Sequence, residues 1–250
     1  MGAAHAPAKH NAPKHAGAKP PAPNLDFIER FETLDEEGRW YISDGWSNAD
    51  YMASTWRRSQ IALTPDGLTL KLSQNGKTDK PYDGAEIRTR QELPYGYFET
   101  RMQAPRGWGL IAGLFTYIGP KDALTNQEID IEILGRDTRA VELTIHTGKL
   151  TETKKLTLPF DAADGFHTYA FDWRPKYVRW YVDGKRVLTM RGKVAPIPTR
   201  PQNYMLDLWN SERLLKWSGG IKPGETGPWT LTASCMAYAA KYPGKPLCTP

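Results

Sequence analysis

From Leu25 onward, apolar positions along this chain recur every second residue. Leu68, Leu70 and Leu72 alternate with Thr69 and Lys71, and Val178, Trp180 and Val182 share one face of another run. A period of two is the spacing of side chains on one face of a β-strand. Tyr97–Met102 reads as a further strand, and Asp183-Gly184 marks a two-residue hairpin turn into the strand Arg186–Met190. Turn signals recur at short intervals, no long stretch follows the helical period, and no internal repeat is evident. The pattern predicts an all-β chain folded as a two-sheet antiparallel sandwich.

One run carries unusual chemistry. In Glu128-Ile129-Asp130-Ile131-Glu132 the alternation is strict, so three carboxylates share one strand face and Ile129, Ile131 and Ile133 share the other. The isoleucine face is ordinary core. Like charges side by side on a sheet destabilise it, so the acidic face marks a site. Residues i and i+4 of a strand lie roughly 13 Å apart at Cα, from a rise of about 3.3 Å per residue. Two glutamates leaning together approach the roughly 5–5.5 Å carboxyl separation at which one attacks a sugar and the other protonates the leaving oxygen. Asp130, between them, is placed to hydrogen-bond the nucleophile and to hold the neighbouring pKa values apart. A solvated acidic face and a cation site are the alternatives that this pattern leaves open.

This run, followed by Ile133, Leu134 and Gly135, resembles the signature of family 16 glycoside hydrolases. Within that family the resemblance is to bacterial lichenases (endo-β-1,3-1,4-glucanases) and to glycanases that cut rhizobial exopolysaccharides. It runs from Arg39–Asn48 through Gly113–Pro120 to His167–Trp173 and Trp180–Gly184, and so covers most of the chain after residue 25. The resemblance implies a curved β-jelly roll with a substrate cleft on its concave face. It implies Glu128 as nucleophile, Glu132 as acid/base and Asp130 as the residue that tunes them. Glu86 and Arg88 match cleft positions, Asn48 another binding position, and Phe115, Tyr117, Trp209 and Trp217 positions that stack on or hydrogen-bond glucose units. No cofactor is needed for such chemistry.

Departures from the family pattern bear on specificity. Asn126-Gln127 stand where lichenases carry Trp-Asp, Asp207 replaces a family Asn, and His146 replaces a Tyr on the neighbouring strand. The imidazole of His146 is suited to hydrogen-bond a sugar or to assist proton movement near neutral pH. The lichenase disulfide is missing, because its positions are Ser54 and Gly84. Cys235 and Cys248 either close a C-terminal loop of about 14 residues, worth roughly 3 kcal/mol in the chain-entropy model, or remain free thiols. A structural calcium ion is doubtful, since the family Asp of the last strand is Ser234, which lacks the charge that oxygen-ligand sites favour.

Composition sets the remaining bounds. The 250 residues are 40% apolar, enough for one sizeable core. No run of 18 apolar residues offers a membrane span. Net charge is +5, but residues 1–24 contribute Lys9, Lys14 and Lys19 and no acid, so the remainder is only slightly basic and no nucleic-acid module is visible. Those 24 residues are rich in Ala, Pro, Lys and His, with His5, His10 and His15 evenly spaced, and read as a disordered tail or linker before a catalytic domain at 25–250. Met1-Gly2 leads straight into polar sequence without an apolar export segment. Polymer substrates lie outside the cell, so a secreted or periplasmic protein whose leader has been removed is expected. The reading is a monomeric retaining endo-β-glucanase acting on a polysaccharide, without nucleic acid or membrane insertion. Its alternatives are a depolymerase of an exopolysaccharide such as succinoglycan, a transglycosylase, and a carbohydrate-binding lectin of the same fold.

Overall fold

The computed structural model describes residues 24–119 and 126–249. The expected N-terminal tail, apart from Asn24, lies outside them, as do Pro120–Thr125. Sixteen strands form among the described residues. They are β1 (Phe27–Glu29), β2 (Trp40–Ile42), β3 (Ser54–Trp56), β4 (Ile61–Thr64), β5 (Gly67–Gln74), β6 (Tyr82–Thr89), β7 (Gly96–Gln103) and β8 (Leu110–Ile118). There follow β9 (Gln127–Leu134), β10 (Ala140–Thr147), β11 (Leu150–Thr157), β12 (His167–Arg174), β13 (Tyr177–Val182), β14 (Lys185–Met190), β15 (Asn203–Asn210) and β16 (Trp229–Ala239). The α-helix α1 (Leu215–Ser218) is a single turn.

Hydrogen bonding runs along one path, β11-β10-β9-β8-β15-β6-β5-β16-β7-β12-β13-β14. Its middle link is thin. β5 and β6 pair only through Ser73 with Asp83 and Gln74 with Tyr82, and there the path folds over into two layers. One layer, β11 to β6 with β2 on its edge, carries the acidic run. The other, β5 to β14, is joined by β1 on β16 and β4 on β5. All pairings among named strands are antiparallel except β3 with β6. This is the sandwich that the alternation predicts.

The core fills the space between the layers. Ile129, Ile131 and Ile133 from β9 meet Leu68, Leu70 and Leu72 from β5 and Val178 and Trp180 from β13, all almost fully buried in one cluster. Each such side chain contributes roughly 1.5–3 kcal/mol by leaving water. The hairpin between β13 and β14 turns on Asp183 and Gly184 with φ of 47° and 72°. Two successive positive φ values are those of a type I′ turn, whose twist matches the flanking strands.

On the outer face of the second layer the cysteine question is answered. Cys235 and Cys248 form a disulfide with Cα atoms 5.6 Å apart, which straps the C-terminal segment onto β16. The buried Glu99 holds the same segment, accepting hydrogen bonds from Leu247 N (2.9 Å), Cys248 N (2.5 Å) and the Tyr97 hydroxyl (2.5 Å). The two positions of the lichenase disulfide adjoin, since a Cβ on Gly84 would lie 3.3 Å from the Ser54 Cβ. Ser234, at the position where the family resemblance places a calcium-binding Asp, accepts a 2.9 Å hydrogen bond from Arg101 Nη1. A divalent ion on that hydroxyl would sit against a guanidinium, so Ser234 does not supply the ligand that the family Asp would.

The disulfide predicts a separable stability effect. The double variant Cys235→Ser/Cys248→Ser should lose about 2–4 kcal/mol in denaturant unfolding. Its specific activity in native buffer should not change, because the strap lies on the layer that does not carry the cleft. Urea melts and initial rates measured side by side check both parts.

Candidate active site

The first layer's cleft face is built in rows, because antiparallel register sets residues of neighbouring strands side by side. At the level of Glu132, Glu142 of β10 lies on one side and Gly113 of β8 on the other. Asp207 of β15 follows, then Glu86 of β6. At the level of Asp130 the row is Thr144, Asp130, Phe115, Met205, Arg88 and Tyr41. At the level of Glu128 it is Thr151, His146, Glu128, Tyr117 and Asn203. The alternation that sends the isoleucines of β9 inward therefore sends all three acids into one open cleft of about 830 Å³.

Local contacts fix these groups. Asp130 is buried and shares a side-chain hydrogen bond with Glu128. His146 Nε2 lies 3.3 Å from Asp130 Oδ2, within ion-pair range but not aligned as a hydrogen bond, since that oxygen has no hydrogen-bond partner among the described residues. His146 Nδ1 is 2.8 Å from Thr151 Oγ1. Glu128, Asp130 and His146 bring donor atoms within 4.8 Å of one another. The Asp130–Glu128 hydrogen bond accounts for the approach of the two carboxyls.

Burial and mutual repulsion hold protons on this floor. Burial pushes Glu132 well above the usual carboxylate range, and the charges of Asp130, Glu128 and Glu142 push it further, with His146 opposing. Asp130 is raised by burial, against its hydrogen bond with Glu128. Asp207 is raised by burial and then by Glu86 and Glu132, against the Gly113 N–H that bonds its Oδ1 at 3.0 Å. Glu86 is pushed up to about 7 by burial, against the Ser43 hydroxyl and the charge of Arg88. The Ser43 hydroxyl donates to Glu86 Oε1.

Of the residues singled out in the sequence, Glu128, Asp130, Glu132, Asn48, Glu86, Arg88, Phe115, Tyr117, His146, Trp209 and Trp217 all line the cleft. Asp207 does not. It lies beneath the floor, 6% exposed, with its carboxyl in the space a side chain on Gly113 would fill. Asn48 Oδ1 accepts from Trp56 Nε1 at 2.6 Å, which leaves its amide N–H groups for a ligand. The Arg88 guanidinium lies 4.5 Å over the Tyr41 ring. Trp209 stands between Tyr51 and Trp217, with ring centroids 5.9 and 6.2 Å away, as an aromatic wall. Gln127 Oε1 accepts from Thr199 N and Arg200 N and ties that loop to the cleft strand. Asn126, at the start of β9, is nearly buried at the cleft with its Oδ1 unpartnered among the described residues.

Sequence reasoning missed Trp46, Tyr51, Thr144, Asn203 and, above all, Glu142. Only alternation on β10 pointed to Glu142, and Val141-Glu142-Leu143 reads equally well as a solvated strand. Its carboxylate accepts a 2.8 Å hydrogen bond from Trp217 Nε1.

Comparison with known proteins places the chain in a family. The profile of glycosyl hydrolases family 16 matches residues 48–225. A beta-glucanase of Bacillus amyloliquefaciens is 37% identical over 201 residues, covering 79% of this chain and 82% of that protein. The solved structure of the Bacillus licheniformis beta-glucanase superposes with a TM-score of 0.78 at 34% identity, over 86% of this chain and 97% of that one. A beta-1,3-1,4-glucanase (lichenase) from a mouse hindgut metagenome gives 0.79 at 34% identity, over 86% and 99%. The chain belongs to glycosyl hydrolase family 16.

Proposed function

We propose that this chain is a retaining endo-β-glucanase that cleaves internal bonds of a β-1,3-1,4-glucan-like polysaccharide by double displacement. The observation that carries the reading is the placement of Glu128, Asp130 and Glu132 on one strand face, at the floor of an open, aromatic-walled cleft. An open cleft admits the middle of a polymer, and the aromatic rings supply stacking surfaces for its sugars.

Roles follow from environment. Burial and three neighbouring carboxyls keep the proton on Glu132, which suits it to protonate the departing glycosidic oxygen. Glu128 attacks the anomeric carbon from the opposite side and forms a glycosyl ester as the bond to the leaving oxygen breaks. Asp130, its pKa raised by burial, shares a hydrogen bond with Glu128 and so aims it. In the second step Glu132, now a carboxylate, takes a proton from water, and the water oxygen displaces Glu128 from the anomeric carbon. An acceptor sugar in place of water gives transglycosylation by the same route.

Asn126 favours a second reading. Where lichenases present a Trp, this cleft has a small, nearly buried amide, which leaves room for a more heavily substituted sugar. A depolymerase of bacterial exopolysaccharide such as succinoglycan fits it. For either polymer, the Cys235–Cys248 bond supports an oxidising, extracytoplasmic setting.

A polysaccharide panel separates the two readings. Barley-type mixed-linkage glucan should lose viscosity well before many reducing ends appear, the mark of internal cuts. Cleavage of succinoglycan with no action on any β-1,3-1,4-glucan would replace the first reading by the second.

The assignment of the two glutamates has its own test, with an activated aryl β-glycoside and added azide. In Glu132→Ala the activated leaving group departs unaided, the ester on Glu128 forms, and azide displaces it to give the β-glycosyl azide after two inversions. In Glu128→Ala azide attacks directly, and one inversion gives the α-azide. Proton NMR of the anomeric coupling reads the result, and the opposite pairing would exchange the two roles.

A further inference from the structure

Glu142 is a carboxylate on the cleft face that neither the family signature nor the double displacement uses. It stands directly across from Glu132 in the β9–β10 register, where cross-strand Cβ atoms lie about 4.5–5.5 Å apart and like charges destabilise the sheet. A lysine also stands beside it, since Lys155 of β11 is its partner on the far side. Lys155 does not neutralise it, because its Nζ is drawn 2.8 Å from Asp137 Oδ2. What Glu142 has instead is the indole N–H of Trp217, 2.8 Å from Oε2. An indole N–H is a neutral donor and does not cancel the charge of a carboxylate.

We propose that Glu142 is a positioning residue, a negative charge moored by Trp217 beside Glu132 that keeps Glu132 carrying the proton it donates to the leaving oxygen. The inference rests on the reading of Glu132 as the acid. The other titratable groups facing Glu132 are Glu128 and Asp130 of its own strand, His146 of β10, and Asp207 across Gly113 with Glu86 beyond it. Asp207 and Glu86 are themselves raised by burial, and His146 acts in the opposite sense. Glu142 is half-buried, directly across from Glu132, and bonded to a neutral donor. The same bond ties the charge to Trp217 of the aromatic wall, so one side chain serves the proton and the sugar platform together.

Glu142→Gln tests this, since a Gln oxygen still accepts from Trp217 while the charge is gone. Two readouts are taken, the pH profile of kcat/KM on β-glucan and a carbon-13 carboxyl NMR titration of Glu132. The repulsion removed is that of two charges about 5 Å apart at an effective dielectric near 20, screened by the open cleft, so a shift of about one pH unit is expected. The sign is fixed. Without the repulsion Glu132 loses its proton at lower pH, and the alkaline limb of the profile moves down with it while KM holds. Glu142→Asp, which keeps the charge, should leave both readouts near those of the unmodified protein. If Glu142→Gln does not fold, Glu142→Thr serves as the neutral variant.

An unmoved Glu132 titration in a folded neutral variant overturns the proposal. So does a titration that moves while the limb of an active enzyme stays in place. If Glu132 shifts as expected but the unmodified protein cleaves no β-glycan, the coupling of Glu142 to Glu132 stands and the glycosidase reading fails.

Discussion

Each acid of the cleft strand stands next to an isoleucine that faces the opposite way, and that coupling governs the molecule. A strand offers two faces and a period of two. Placing Ile129, Ile131 and Ile133 in the core therefore places Glu128, Asp130 and Glu132 on the floor of the cleft. A one-residue slip in register would bury three acids and expose three isoleucines, so the core enforces the geometry of the site. The magnitudes allow this. An unfavourable cross-strand charge pair costs up to about 1 kcal/mol, whereas each buried isoleucine contributes roughly 1.5–3 kcal/mol.

The same register explains why protons are held at this floor. Glu142, Glu132, Asp207 and Glu86 fall at one level across five strands, with Gly113 as the only position among them lacking a side chain. A Cβ on Gly113 would lie 2.5 Å from Asp207 Oδ1, so glycine lets that carboxyl approach the row's centre. Both ends are closed by neutral donors, Trp217 at Glu142 and Ser43 at Glu86. Such a line of acids cannot all ionise together, and a group that keeps its proton in the row is ready to act as an acid.

Much of this was legible in the sequence where the information is local. Strict alternation at 128–132, the turn at Asp183-Gly184 and the leucines of β5 each carry their meaning within a few residues, and each took the expected form. What the sequence hid depends on pairing between distant strands. Glu142 looked like any polar residue on a half-exposed strand until register set it beside Glu132, 10 positions away in the chain. Asp207 is singled out because it stands where the family carries an Asn, yet the space over Gly113 draws its carboxyl under the floor. The cysteines left two states open, and their pairing depends on how the C-terminal segment returns over β16 and Glu99.

The central claim is that Glu128 and Glu132 act in sequence on one sugar carbon, and the stereochemistry of the first product tests it directly. Proton NMR through the opening turnovers on a soluble β-glucan oligosaccharide records the new reducing end before it mutarotates. Double displacement predicts that the β-anomer appears first and the α-anomer grows in later at the spontaneous rate. An α-anomer at the outset would mean a single displacement by water, and would contradict both Glu128 as nucleophile and Glu132 as the acid that turns base.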